Sequence, residues 1–259
     1  MACRHTDPME ARPTAEGFDG WYADMVCSPA KDQIMQRHLG LPPHLLSTGL
    51  LSWNGIAEVT GALRLSPEST LLDLACGRGG YGLEIAARTG ARLVGVDFSS
   101  EAVRQASEHA RRLGRRADFH VGDLAATGLD TGSVDAVLCV DAIQFAAPAA
   151  AAYSELRRVL ASKGRAVLTC WEPSVSGDRR LPERLRAVDL ASGLAGADFD
   201  DVEVRERADW RTLERTMWQE AAELDPEGDP ALQSFHDEGE ASLQYFSLLR
   251  RVMAIATAP

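Results

Sequence analysis

The stretch TLLDLACGRGGYG at residues 70–82, followed by RLVGVDFSS at 92–100, decides the fold of this 259-residue chain. An apolar run carries Asp73 near its end, glycines follow at Gly77, Gly79 and Gly82, and a second apolar run ends in Asp97, eighteen residues beyond Gly79. The pattern reads as a strand, a glycine turn, a helix start and a second strand that closes on a carboxylate. Glycines let the backbone turn tightly and let a ligand approach where a Cβ would stand in the way. The helix behind them offers unpaired N–H groups and a positive dipole end to an anion. The anionic end of a ligand is therefore expected beside residues 77–80. Asp97 can accept both hydroxyls of a ribose, at roughly 1.5–3 kcal/mol for each charge-assisted bond. Together these features predict a nucleoside-containing cofactor.

Asp73 discriminates among such cofactors. In a nicotinamide site an acid at this position would repel the pyrophosphate, whereas a cofactor with an ammonium group would gain from it. S-adenosylmethionine (SAM) has an ammonium, a carboxylate and a ribose. The segment DLACGRGG (73–80) resembles the first motif of the class I SAM-dependent methyltransferases, with Ala75 standing where that family usually has glycine. Four more segments resemble later motifs in the right order: GVDFSSEAV (95–103), VGDLAATGL (121–129), SVDAVLCVDAIQF (133–145) and YSELRRVLASKGRAVLTCWEP (153–173).

The resemblance implies an α/β fold, with a doubly wound, seven-stranded, mostly parallel sheet of the Rossmann-like methyltransferase type. A helical N-terminal lid and C-terminal helical insertions go with it, and the last strand, VMAIATA, lies antiparallel beside the fifth. It also implies site roles. Asp73 meets the ammonium of SAM, and Ala75, Gly77 and Gly79 its methionine tail. Asp97 takes the ribose, while Phe98, Gly122, Asp123 and Leu124 surround the adenine. Val140, Asp141 and Gln144 face the methyl group, which makes Asp141 and Gln144 the catalytic candidates. S-adenosylhomocysteine (SAH) is the implied product.

Composition bounds the alternatives. A chain of 28.0 kDa with 45% apolar residues can bury one sizeable core with appendages. Net charge of −11 and a pI near 5.0 oppose attraction to phosphate backbones and anionic membranes, so neither nucleic acid nor membrane is an expected partner. Cys3, Cys27, Cys76, Cys139 and Cys170 are odd in number and form no CxxC, which reads as reduced packing residues. The N-terminal MACRHTDPMEARPT lacks the apolar core of a signal peptide, and no apolar run reaches the roughly 20 residues of a membrane span. A cytoplasmic monomer or homodimer is expected.

Along the chain, residues 1–16 read as a flexible N-terminus, 17–65 as a helical arm, and 66–259 as the SAM-binding domain, with substrate-cap helices at about 178–195 and 210–248. The arm carries Trp21, Tyr22 and His38. Its aromatic residues fit either a satellite cluster over the sheet edge or a lid over the active site, with Trp21 and Tyr22 assigned to the lid and Trp53 to the core. Strands are expected at 117–121, 134–140 and 165–171, and helices from Ser99 onward, at about 149–160 and at 181–194. Val103, Ala106, Ala110 and Leu113 should face inward on the helix after Ser99, and Leu213, Met217 and Trp218 on the helix after Trp210. Arg111, Arg112, Arg115 and Arg116 read as a solvated basic helix end.

Methyl transfer from a sulfonium is an in-line displacement, so orientation alone can supply roughly 7–11 kcal/mol. A general base adds about 10²- to 10⁴-fold where a proton must leave. Hydroxyl-methylating relatives often place a His just after the fourth strand, where this chain has Gln144 and Phe145. His38, His44 or His236 could enter the site from elsewhere, or the acceptor could need no base. Asp141 and Glu172 resemble the positions from which catechol methyltransferases hold a divalent ion, but Pro173 stands where a further ligand would help, and no metal is expected. Trp171 and Phe145 complete the substrate-lining candidates. The resulting expectation is a SAM-dependent methyltransferase of a small-molecule metabolite, acting on O, N or C, in secondary metabolism such as antibiotic biosynthesis. Two alternatives stay open: a SAM-binding cyclase or isomerase that keeps the methyl group, and, less favoured, an NAD-dependent oxidoreductase.

Overall fold

A computed structural model of the chain describes residues 14–259. Its elements follow in the order α1 (Ala15–Cys27), α2 (Pro29–Leu39), α3 (Trp53–Leu63), β1 (Thr70–Leu74), α4 (Gly80–Thr89), β2 (Arg92–Asp97), α5 (Ser100–Arg112), β3 (Ala117–Val121) and β4 (Val134–Val140). They continue with α6 (Ala149–Val159), β5 (Leu160–Pro173), α7 (Glu183–Arg186), α8 (Leu190–Gly196), β6 (Asp200–Glu206), α9 (Ala208–Ala222), α10 (Pro230–Tyr245) and β7 (Leu249–Thr257). The seven strands form one sheet in the order β3-β2-β1-β4-β5-β7-β6. β1 to β5 run parallel, and β7 inserts antiparallel between β5 and β6.

The sheet is buried on both faces because alternate residues of each strand serve different layers. Leu71, Leu93, Leu138 and Ile255 face one core with Ile56, Val59 and Leu63 of α3 and Leu83 and Ile85 of α4. Leu72, Val94, Val137 and Leu168 face the other with Leu156 and Val159 of α6 and Leu190 and Leu194 of α8. Local chemistry sets the helix ends. The Ser52 hydroxyl accepts from Gly55 N to start α3, Ser99 does the same for Ala102 N in α5, and Gly90 closes α4 in the left-handed region at φ 77°.

Several expectations change. Of the N-terminal segment 1–16, residues 1–13 and with them Cys3 lie outside the described residues, and α1 already begins at Ala15. The 17–65 arm is not one unit, because α2 and α3 supply Ile34, Met35, Leu39, Ile56, Val59 and Leu63 to the main core while α1 packs in a separate cluster through Tyr22 and Met25. Trp53 is half out of the core, with the Arg88 guanidinium 4.2 Å above its ring. On α5 the buried residues are Ala102, Gln105, Ala106, His109 and Ala110, while Val103 and Leu113 are only half-buried. The face is rotated because α1 packs there, with Gln105 Nε2 donating to the Tyr22 carbonyl at 2.9 Å. The helix expected at 181–194 is two, since the Asp189 carboxylate accepts from Ser192 N and starts α8 afresh. The 210–248 region is likewise two helices, α9 and α10. Leu213 points outward, and Trp210, Glu214, Met217, Trp218 and Ala221 form the inward stripe of α9.

Glycine substitutions test this packing. A Cβ at Gly82 would lie 2.6 Å from Asp73 Oδ2 and 2.9 Å from Leu93 Cδ1. Gly82→Ala is expected to lower stability by about 1–3 kcal/mol. Gly61 in α3 has open space around its Cβ position, and Gly61→Ala is expected to raise stability by about 0.5–1 kcal/mol. Urea unfolding of the two variants beside wild type measures both.

Candidate active site

The carboxyl ends of β1, β2 and β4 meet the glycine loop in one crevice, as ligand sites do in open α/β sheets. Asp73 Oδ2 accepts from Gly82 N at 3.0 Å, so the first acid holds the start of α4. Asp97 accepts from Gly77 N at 2.8 Å and from Ser99 N at 2.9 Å, tying β2 to the loop. Each is only 3% exposed. Burial lifts Asp73 to about 7 against the pull of the Gly82 N–H, with the charge of Asp97 adding to the rise. Burial lifts Asp97 to about 6 against the N–H groups of Ser99 and Gly77. Among the described residues neither forms an ion pair. The crevice therefore holds two desolvated acids without a countercharge.

The glycines divide the work. Gly77, at φ 51°, faces the crevice, where a Cβ would stand 2.9 Å from the Tyr22 hydroxyl and 3.0 Å from that of Thr48. Gly79, at φ 75°, faces away from it, toward Phe119 and Ala106. The missing side chain of Gly79 serves the turn and the close approach of Phe119 and Ala106. Ala75 adopts φ 58°, the left-handed region that costs an L-residue roughly 1–2 kcal/mol, which accounts for glycine being usual there.

Helix α1 lies across this crevice. Phe18 packs edge-on to Phe98 at 5.1 Å and to Phe145 at 5.9 Å, and Tyr22 is buried beside Trp21. Asp19 fixes the helix to the N-terminus of α5, accepting from the Ser99 hydroxyl at 2.5 Å, the Ser100 hydroxyl at 3.1 Å and Glu101 N at 3.1 Å. On the far side of the loop, buried Arg78 pairs with Asp32 of α2, with Nη1 2.8 Å from Oδ2, and donates to the Ser47 carbonyl at 3.2 Å. Buried His109 bridges the carbonyls of Arg78 and His44. Asp19, Asp32, Thr48 and His109 carried no motif in the sequence, and Arg78 lay within the glycine motif without an assigned role.

At the rim, Gly122 leaves room for the Thr127 carbonyl, exposed Asp123 accepts from Ala125 N at 2.9 Å, and Leu124 is half-buried against the second core. Val140 lies under Gly49, whose Cβ would come within 2.7 Å of it.

The expected catalytic pair is corrected. Asp141 has its carboxylate engaged by Leu50 N at 2.9 Å, the Thr169 hydroxyl at 2.8 Å and both terminal nitrogens of Arg251, at 2.6 and 2.9 Å. Gln144 donates to the Asp141 carbonyl at 2.7 Å and accepts from Cys170 Sγ at 3.1 Å. Both side chains position backbone. Glu172 is engaged elsewhere, by Leu190 N and Arg250. Arg251 also donates from Nε to Glu214 at 2.7 Å, and Arg251 and Glu214 are fully buried. Burial raises Glu214 to about 8 although Arg251 pulls it down, because Asp141 already meets the arginine's charge and repels a second anion. Trp171 stands over this cluster, 5.2 Å from the Phe246 ring. His38 is corrected as well: it pairs with Glu220 at 2.6 Å on the side of α2 that packs against α9, not in the crevice. A separate cavity of about 380 Å³ lies at the opposite ends of the strands, lined by Asp135, Lys163 and Arg165 among others.

The strand order and the antiparallel β7 define the class I SAM-dependent methyltransferase fold. Residues 71–164 match the family described as "Methyltransferase domain", so the chain carries such a domain over that stretch. Squalene methyltransferase 2 of Botryococcus braunii is 36% identical over 110 residues, covering 42% of this chain and 29% of that protein. The 2-methyl-6-phytyl-1,4-hydroquinone methyltransferase of Synechocystis sp. is 29% identical over 172 residues, covering 65% and 53%. The chain thus spans between about a third and a half of the length of these curated relatives. Among solved structures, the [4+2]-cyclase SpnF superposes with a TM-score of 0.74 at 20% identity, covering 98% of this chain and 99% of that one. A Haemonchus contortus phosphoethanolamine N-methyltransferase 2 gives 0.70 at 17%, covering 92% and 60%. At these identities the structural likeness speaks for the fold.

The acids make stability fall with rising pH. A carboxyl raised in the folded state binds its proton more tightly there than in the unfolded chain, so its contribution is full below about pH 4 and is lost as pH rises through the folded value. Stability is expected to decline from pH 5 to 8. Glu214→Gln should remove roughly 1–2 kcal/mol of the decline between pH 6 and 8, read from urea midpoints across that range.

Proposed function

We propose that the chain is a SAM-dependent methyltransferase of a small, largely apolar metabolite. The observation that carries this reading is the pair Asp73 and Asp97, buried at adjacent strand ends with raised carboxyls and no cation beside them. The donor set fits the cofactor. Asp73 would hold its ammonium, and Asp97 its ribose hydroxyls, exchanging the Gly77 N–H for them. The hydroxyls of Tyr22 and Thr48, both against Gly77, would donate to its carboxylate. Phe98 and Leu124 would flank the adenine, with Asp123 at its edge.

SAM, when bound, supplies a methyl group already activated on a sulfonium. The chain's residues orient and enclose. Helix α1, pinned by Asp19 and lined with Phe18, Trp21 and Tyr22, serves as the lid that keeps water out. The Asp141–Arg251 pair fixes the backbone after β4, which borders the transfer site, without itself taking a proton. Relatives named for squalene and quinone methylation support an apolar acceptor and carbon as the methylated atom. A cytoplasmic tailoring enzyme of secondary metabolism fits the acidic, Arg-rich chain. The cyclase reading is supported by the full-length likeness to SpnF and by the lack of a general base after β4. Product mass separates the two, because transfer adds a methylene's worth and cyclisation nothing.

Calorimetry tests the cofactor assignment. Micromolar binding of SAM and SAH, with none for NADH, is expected. Asp97→Ala removes two charge-assisted bonds of roughly 1.5–3 kcal/mol each, so affinity should drop at least about 100-fold. Near-normal affinity in that variant would overturn the assignment.

A further inference from the structure

Lys31, one of only two lysines in the chain, is 2% exposed in α2. Its ammonium lies 4.3 Å from the Trp21 ring centre and 5.4 Å from that of Phe235, and among the described residues it makes neither a hydrogen bond nor an ion pair. Trp21 is held in place by its Nε1, which donates to Ser234 of α10 at 2.9 Å. Aromatic faces attract a cation, but they do not replace a lost hydration shell, so an ammonium buried in this way is destabilising by itself. Burial accordingly pulls the Lys31 amine below its ordinary range.

Its surroundings carry further charges and rings. Glu238, three residues beyond Phe235 on α10, keeps partial exposure while burial raises its carboxyl against the pull of Lys31 and Arg184. Arg184 of α7 stacks 4.4 Å over Phe145, which contacts Phe18 over Phe98. Aromatic rings and charged side chains thus connect Lys31 with Phe145 and Phe98 at the edge of the crevice.

We propose that Lys31 is the acceptor-binding cation of this enzyme, receiving an oxyanion carried by an otherwise apolar substrate. The inference rests on the methyltransferase reading for the word acceptor, but the anion site stands on its own geometry. The lysine takes no part in bond making. It anchors the substrate's polar end under α1, with the aromatic side chains around the apolar body. A purely structural role, pinning α1 to α10 through the rings, is the opposing account. It predicts that stability, and not anion preference, depends on Lys31.

The full chain is titrated by calorimetry first with SAH, then, at saturating SAH, with 6-phenylhexanoate and with its uncharged amide as probes. Wild type is expected to bind the acid at least about tenfold more tightly than the amide. Lys31→Met keeps the side-chain length and the contact with the rings but removes the charge. It should abolish the preference, leave SAH affinity unchanged, and unfold at the same or a higher urea concentration. Lys31→Arg should keep part of the preference. Equal or absent binding of the two probes to wild type, or a preference that survives Lys31→Met, would overturn the proposal. So would loss of folding in both Lys31→Met and Lys31→Gln. Should SAH itself not bind, the methyltransferase reading fails, and the same acid-to-amide comparison without SAH still decides the anion site.

Discussion

Two carboxylates on neighbouring parallel strands hold the glycine loop from opposite ends. Asp73 accepts from Gly82 N, where the helix begins, and Asp97 accepts from Gly77 N, where the loop leaves β1. Both bonds require close approach of side chain and backbone. Gly82 gives Asp73 its room, and Gly95, paired with Asp73 in the β1–β2 register, leaves space for the Phe119 ring that packs beneath the loop. A buried carboxylate with one or two N–H partners is short of the solvation it had in water, and the raised values of both acids measure that shortfall. The loop is thus formed by groups that remain incompletely satisfied, and further donors improve their state.

This half of the site was legible because its logic is local. A strand's apolar run, a glycine spacing and a terminal acid lie within thirty residues, and β4 repeats the apolar run, so β3, β4, the order of elements and the antiparallel β7 follow the sequence reading. The roles that depended on long-range pairing were not legible. Asp141 looked free to act because its partner, Arg251, is 110 residues away in β7, and His38 looked like a lid residue because Glu220 is 182 residues away. One trace existed: Glu214 falls on the stripe of Trp210, Met217, Trp218 and Ala221, where a charge needs a buried partner. Gly79 has a packing duty that spacing did not show. Spacing cannot tell a glycine required by a ligand from one required by a neighbouring ring.

The Arg251 cluster links the C-terminal strand to the site. Asp141 sits at φ 56° just past β4, in a conformation that a non-glycine residue holds only when its surroundings fix it. Its carboxylate reaches Leu50 of the covering loop, Thr169 of β5 and Arg251 of β7, so three segments meet at one side chain. Breaking such a buried pair by removing one partner leaves an uncompensated charge, commonly worth about 3–5 kcal/mol. The covering loop, from Ser47 to Leu51, is held a second time by the Tyr81 hydroxyl, which donates to Gly49 O and accepts from Leu51 N. The backbone just past β4 is therefore fixed by side-chain bonds to three other segments.

The charges left over on either side of that rigid border are opposite in sign. On the cofactor side, Asp73 and Asp97 are buried acids with no ion pair among the described residues. On the lid side, Lys31 forms no hydrogen bond or ion pair among the described residues, and the nearest opposing charge that acts on it is the Glu238 carboxylate. Arg78 and Asp32, which lie between the two, neutralise each other in a buried pair and so separate the fields. If α1 and α2 were only a cover for the sheet edge, the simplest sequence would put apolar residues at all these positions, since each buried unpaired charge opposes folding. A fold that leaves Asp73, Asp97 and Lys31 buried without a direct ion pair among the described residues suits one ligand that is cationic where it meets the sheet and a second that is anionic where it meets the lid.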